Sequence, residues 1–190
     1  MANLFIRLLD ILLATLALLL TLPLLVLLYV FGLMDTGSPI LRQTRLGQDL
    51  RPFTLYKFRT MRLGTPTVAT HLVHENAVTR YGRWLRATKL DELPQLLNVL
   101  TGSMSLVGPR PCLPNQDELI AARRRLGVFS LKPGLTGPAQ VLGVDMSQPQ
   151  RLAELDALWL HERSVTNYLY YIMLTMIGRG FGDRIRASRE

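Results

Sequence analysis

Two adjacent carboxylates, Asp91 and Glu92, stand in the run Thr88 to Pro111, TKLDELPQLLNVLTGSMSLVGPRP, just ahead of Pro94 and an apolar stretch. Proline is tolerated in a first helical turn, where the amide it lacks would have no partner, so Pro94 marks a helix start with both acids at its N-terminal end. The positive pole of the helix dipole favours ionised carboxylates there, and bound anions too. An ionised carboxylate is a covalent nucleophile or a magnesium ligand, so the pair suits phosphate chemistry. The same residues also make an ordinary helix start, and the local pattern does not separate the two readings.

Cations flank the pair in sequence. Lys57 and Arg59, two apart in the alternating run Phe53 to Met61, would share one face of a strand, where they either hold a diphosphate or line a solvated edge. Arg86 lies five residues before Asp91, and Arg110 closes the Gly108-Pro109-Arg110 turn. The segment TRYGRWLR, Thr79 to Arg86, mixes arginines with Tyr81 and Trp84 and reads as an amphipathic helix on anionic lipid or as a nucleic-acid face. His71-x-x-His74-Glu75 lacks a third ligand at a known spacing, so it is not taken as a metal site. Arg123-Arg124-Arg125 reads as a solvated or lipid-facing surface. The glycines of Lys132 to Gln140 permit close backbone approach to a phosphate, but turns use glycine too.

These residues need elements to hold them. The chain has 190 residues, 48% of them hydrophobic, with a formal charge of +8, which fits one membrane-associated domain with anionic partners. The single cysteine, Cys112, excludes an internal disulfide and reads as a bystander. From Ile11 to Met34 no residue is charged, enough for a helix to cross a bilayer core of about 30 Å. Pro23, at the middle, should kink or break that helix. A kinked span and a re-entrant helix-break-helix both follow, and we expect the re-entrant form, with the basic remainder on the cytoplasmic side. A cleaved signal peptide is disfavoured, because the apolar run is too long and no small-x-small site follows it. Arg7 and Asp10, one turn apart, would pair and fix the entry point. Residues 1–36 then form the anchor and 37–190 an α+β domain of helices with a short β-hairpin. The hairpin falls within Pro39 to Met61; helices are expected over Leu113 to Gly127 and over Gln150 to Glu162, the latter with Leu152, Leu155, Leu158 and Trp159 on one side. Tyr168 to Ile177 is too short to span and suits packing or interfacial contact, and the arginines of Arg179 to Arg189 would touch lipid.

Taken in order, the motifs resemble the bacterial sugar transferases, the monotopic phosphoglycosyl transferases that begin lipid-linked glycan assembly. They are Arg7-x-x-Asp10 before a proline-broken apolar run, Gln43-x-Arg45-x-Gly47, and Tyr56-Lys57-Phe58-Arg59-Thr60-Met61. Gly82-Arg83-x-Leu85-Arg86, Leu90-Asp91-Glu92-Leu93-Pro94-Gln95-Leu96, Ser105 to Pro111 and Lys132-Pro133-Gly134-Leu135-Thr136-Gly137 complete the set. The resemblance implies a transfer of sugar-1-phosphate from a UDP-sugar to undecaprenyl phosphate at the bacterial inner membrane, with Mg2+ as cofactor and UMP released. It implies Asp91 as nucleophile and Glu92 as the main magnesium ligand, with Asp91 beside it. Lys57, Arg86 and Arg110 would surround the phosphates, with Arg59 as a fourth. Partners would be the UDP-sugar, undecaprenyl phosphate and membrane lipid, not nucleic acid.

The chain departs from the family pattern at four places. Leu22-Pro23 replaces the usual Ser-Pro, so a backbone carbonyl or Thr21 would have to help at the break. Ser103 takes the acidic place in Gly102-Ser103-Met104-Ser105. Pro138 follows Gly137 where an aromatic or leucine is usual, and Leu142-Gly143-Val144 replaces Asn-Gly-Arg. The competing reading is a non-catalytic, membrane-tethered basic module binding anionic lipid or nucleic acid, which leaves Asp91-Glu92 without a role.

Overall fold

A computed structural model describes residues 2–65 and 77–178. His71, His74, Glu75 and the Arg179 to Arg189 stretch lie outside the described residues. The chain opens with a 35-residue helix, α1 (Ala2–Thr36), and helical backbone continues through Pro23. The expected interruption at Pro23 is therefore not a break in the helix. Pro23 has no amide to offer the Leu19 carbonyl, and the Thr21 hydroxyl donates to Ala17 O at 2.7 Å rather than to that carbonyl.

Next come β1 (Ile40–Leu46) and β2 (Pro52–Phe58), an antiparallel hairpin with Leu41 opposite Lys57. Its turn places Asp49 and Leu50 at positive φ. The helices α2 (Arg80–Thr88) and α3 (Gln95–Thr101) follow, joined through a 3-10 turn at Leu90–Glu92. Thr79 caps α2 by accepting from Gly82 N, one of the orphan amides every helix start leaves. After β3 (Ser105–Val107) and α4 (Asp117–Arg125), β4 (Gly134–Thr136) pairs with β3 in parallel. The chain closes with α5 (Pro138–Val141), α6 (Pro149–Glu162) and α7 (Val165–Met176). The architecture is α+β, and the parallel β3–β4 pair is an element the sequence did not announce.

That pair explains the glycines of the Lys132 to Gln140 loop. A Cβ on Gly134 would lie 2.0 Å from Gly108 N, and one on Gly108 would lie 2.4 Å from Lys132 O. Backbone meets backbone there, so these glycines serve strand contact between two parts of the chain. Gly82 plays the same part on α2, where a Cβ would sit 2.0 Å from Thr60 O.

Among the described residues three apolar clusters form the core, and α1 enters two of them. Ile6 and Ala14 pack with Leu96, Val99, Trp159 and Tyr168, while Leu28 packs with Phe58 and Leu85. Between these contacts α1 exposes Leu16, Leu19, Leu20 and Leu22. Only 11% of its most apolar window is covered by protein, and its length suffices to cross a bilayer. Exposed leucine at this density is unfavourable in water, and the helix fits membrane association. Arg7 and Asp10 do not serve as an exposed pair. Arg7 donates to Val99 O at 2.6 Å and Leu100 O at 2.8 Å, capping the C-terminal end of α3. Asp10, 2% exposed, accepts from Ser105 Oγ, Leu106 N and Tyr168 Oη at 2.8 to 2.9 Å.

Other expectations need correction. Arg123 is not a surface cation but is 2% exposed and bonded to the fully buried Asp156. On α6 the buried side is Leu152, Ala153, Asp156, Ala157 and Trp159, and Leu158 faces out. The small residues sit inward because α6 packs close against α4 and α5. Cys112 is buried, and burial raises its thiol above the usual range, which keeps it protonated and inert.

Candidate active site

The acidic pair sits in the tight turn between α2 and α3. Pro94 stands immediately before α3 and starts it as expected, but Asp91 and Glu92 belong to the preceding 3-10 turn. Lys89 makes the corner possible by taking a left-handed conformation at φ 57, uncommon for a residue with a Cβ. Asp91 is 8% exposed. Burial first, and then the adjacent Glu92 charge, push its pKa up to about 7, against the opposing pull of Lys57, Arg86 and Arg110. The dipole argument from sequence is thus overturned: Asp91 is not held ionised by the helix end, because desolvation and a like charge outweigh it.

The structure gathers most of the expected cations around this turn. Lys57 on β2, Arg86 on α2 and Arg110 after β3 all act electrostatically on Asp91. Arg110 Nη2 reaches Glu92 Oε1 at 2.8 Å. Arg86 Nε donates to the buried Thr60 Oγ1 at 2.9 Å, which fixes its aim. Arg59 is not shown joining them. It lies beyond the end of β2 and donates to Ser38 O at 2.8 Å, so the shared face expected for Lys57 and Arg59 ends where the strand ends. Ser103 also lies apart, donating to Asn98 O at 3.1 Å at the far end of α3. Arg7 and Asp10 hold α1 to α3 and β3, and Pro23 lies inside α1.

Several supporting residues were invisible from sequence. Asn98, buried on α3, accepts from Tyr56 N at 3.0 Å and donates to Thr54 O at 2.7 Å, imitating a neighbouring strand and pinning β2 to α3. Lys89 is another: burial lowers its pKa, the Glu92 charge raises it, and Arg110 lowers it again, so it belongs to the same electrostatic group.

The loop bearing Arg110 is held at four consecutive carbonyls. Gly134 N donates to Pro109 O, Arg123 Nη1 to Arg110 O, Arg45 Nη1 to Pro111 O and Leu46 N to Cys112 O, at 2.8 to 3.1 Å. Arg123 is itself clamped by Asp156 at 2.6 and 2.9 Å. Such a fixed backbone delivers the Arg110 guanidinium to one place, which is what an electrostatic site requires.

Among the described residues no three His, Cys, Asp or Glu side chains converge as a metal cluster. Magnesium does not require one, since it typically binds one or two carboxylates and completes its shell with water and substrate phosphate. Two adjacent carboxylates, one of them buried and raised by desolvation and by its neighbour's charge, suit a hard divalent cation that would neutralise both, so the donor set fits.

The site thus places a buried carboxylate among cations, in a chain that opens with a long exposed apolar helix. The chain belongs to the bacterial sugar transferase family, whose description matches residues 1–179. It is 37% identical over 187 residues to a UDP-glucose:undecaprenyl-phosphate glucose-1-phosphate transferase of Escherichia coli K12, covering 92% of this chain and 40% of that protein. A protein of the same name from Caulobacter vibrioides is 46% identical over 143 residues, 73% of this chain and 54% of the relative. A galactosyl transferase of Streptococcus agalactiae is 36% identical over 160 residues, 75% of this chain and 34% of the relative. The chain thus spans about half or less of the length of these relatives.

Proposed function

We propose that this chain transfers a sugar-1-phosphate from a UDP-sugar to undecaprenyl phosphate through a covalent aspartyl-phosphosugar. The observation that carries the reading is Asp91, buried beside Glu92 and facing Lys57, Arg86 and Arg110. An Asp91 oxygen attacks the phosphorus that bears the sugar; the bond to the second phosphate breaks and UMP leaves with its electrons. An oxygen of undecaprenyl phosphate then attacks the same phosphorus, the bond to Asp91 breaks, and undecaprenyl-diphosphate-sugar departs. Lys57, Arg86 and Arg110 neutralise the charge spreading over the phosphoryl oxygens. Glu92, with Asp91 beside it, would hold Mg2+, which supplies further neutralisation of the diphosphate. The relatives' names include both glucose and galactose, so the sugar stays open. The test is UMP release by the full chain in detergent, with magnesium, undecaprenyl phosphate and a panel of UDP-sugars. A folded protein that releases UMP from none of them overturns the proposal.

The pH dependence follows from Asp91. The nucleophile must be ionised, so turnover is expected to fall about tenfold per pH unit below pH 7. Added magnesium should move that limb to lower pH. Stability has the opposite sign. The unfolded side chain ionises near 3.8 while the folded one keeps its proton up to about 7, so across that window the folded state binds more protons and this contribution falls as pH rises. An acid limb that lies well below 7 and does not rise as magnesium is lowered to limiting concentration would contradict the assignment of Asp91.

The anchor is proposed to be re-entrant, with the catalytic domain on the cytoplasmic face of the inner membrane. The support is that Ile6, Arg7 and Asp10 near one end of α1, and Leu28 near the other, all pack on the same domain. Tyr81 Oη also donates to Leu28 O at 2.8 Å. A helix crossing to the far side would have to abandon one of these sets. A cysteine at position 2 should react with an impermeant label from the same side as one at the exposed Arg151. Labelling from opposite sides would sink the re-entrant form.

A further inference from the structure

Three cations gather at the other end of α3 from Asp91. A Cβ on Gly102 would lie 3.3 Å from Arg7 Nη2 and 3.6 Å from Lys132 Nζ, so a guanidinium and an ammonium converge on one point. Arg163 precedes α7, whose Tyr168 Oη bonds Asp10 at 2.8 Å, and this brings it to the corner where Asp10 and Lys132 both interact with it electrostatically. Among the described residues the carboxylate acting on this group is Asp10, whose Oδ1 accepts from Ser105, Leu106 and Tyr168, so one negative charge faces three positive ones. Arg163 Nε is buried and meets no acceptor among the described residues. Like charges held together with a donor left over create a place for an anion.

The surroundings say which anion. Asp10 is the last charged residue before the apolar run of α1, so the cluster lies where that helix leaves the polar zone. Leu169, Tyr170 and Met173 of α7 are exposed next to Tyr168, and Leu8 and Leu12 are exposed on α1. Cations at the edge of an exposed apolar surface match a lipid with its phosphate at the cations and its chains along the leucines. Seven residues of α3 separate the cluster from the acidic turn, a rise of about 10 Å. A phosphate at this cluster is therefore not the one that meets Asp91.

We infer that Arg7, Lys132 and Arg163 form a binding site for the phosphate of an anionic membrane phospholipid, which seats the domain against the bilayer beside the two ends of α1 and α7. Arg7 would contribute charge while keeping its bonds to α3, and Lys132 and Arg163 would turn to the headgroup oxygens. The inference rests on membrane association of α1, not on the chemistry proposed for Asp91.

The experiment uses the full chain in a neutral detergent, with native mass spectrometry and thermal melting read as phosphatidylglycerol is added. Lys132→Gln with Arg163→Gln is compared with Arg124→Gln with Arg151→Gln, which removes the same charge from exposed positions elsewhere. The first pair should weaken phosphatidylglycerol retention about thirtyfold and abolish the melting shift, while the second keeps both. Equal loss in the two pairs would mean general attraction to anionic lipid and overturn the site. Inorganic phosphate reproducing the melting shift would overturn the lipid as occupant. Lys132→Gln alone, at a half-buried side chain, gives the same comparison if the double variant does not fold. UMP release is not part of the readout, so failure here and failure of the transferase reading are told apart.

Discussion

Replacing Asp91 with Asn is expected to abolish UMP release and to leave no phosphosugar bound to the protein. The change keeps the shape of the side chain but turns the anionic carboxylate into a neutral amide, and loss of a covalent nucleophile lowers turnover by roughly 10⁴ to 10⁶-fold. Stability should move the other way. At pH 8 the wild-type carboxylate is charged, only 8% exposed and beside Glu92, whereas a neutral amide avoids both the desolvation and the repulsion. The Asn variant should therefore melt at or above the wild-type temperature at pH 8, with the difference shrinking as pH falls through 7. Loss of activity with unchanged or raised stability separates a chemical role from a structural one. Glu92→Gln makes the contrast, because it removes the second carboxylate while leaving Asp91 as nucleophile. It should weaken magnesium dependence and still give a trapped adduct. An adduct at wild-type level in Asp91→Asn, measured by intact mass after mixing with UDP-sugar and magnesium but no undecaprenyl phosphate, would move the nucleophile elsewhere.

The backbone around the acidic turn is legible in the sequence where it depends on local signals. Pro94 after an acidic pair, a glycine-proline-arginine turn and two short alternating strands each announce a local backbone event. The electrostatic state of Asp91 could not be read in this way. The dipole of α3 is a local effect, but β2, which packs on the turn, and the Arg110 charge both reach Asp91 from parts of the chain far from it in sequence. Lys57 and Arg59 look equivalent in sequence and are not, because β2 ends at Phe58 and Arg59 leaves to bond Ser38. Arg123 looked solvated because it sits in a run of three arginines, and nothing local reveals that Asp156, 33 positions later, is buried opposite it. Asn98 carried no signal at all, since its value lies in matching a strand edge. The anchor was legible as apolar and proline-marked. Its contacts were not, because Arg7 and Asp10 form a plausible local pair by spacing and instead satisfy backbone far along the chain.

Replacing Arg123 with Met should unfold much of the population, and replacing Asp156 with Leu as well should restore the fold without restoring turnover. Among the described residues Arg123 is the cation that balances Asp156, whose exposure is 0% and whose pKa burial raises. Leaving one member of a buried ion pair costs about 3–5 kcal/mol, whereas replacing both with apolar groups of similar volume is often neutral or stabilising. The Met/Leu double variant should thus melt near the wild-type temperature. It still lacks the Nη1 donor to Arg110 O, one of the four bonds that fix the Pro109 to Cys112 backbone. A guanidinium displaced by about 1 Å from a developing phosphoryl charge can cost on the order of 10²-fold in rate. Because Arg110 also bonds Glu92, the loss should fall on turnover more than on UDP-sugar binding. The measurement is turnover and KM of wild type, Arg123→Met and Arg123→Met with Asp156→Leu, each beside its melting curve. Wild-type turnover in a stable double variant would reduce the pair to a packing element. A stable variant with KM kept and turnover lost would establish that the buried pair aims Arg110, linking a core ion pair to charge neutralisation at Asp91.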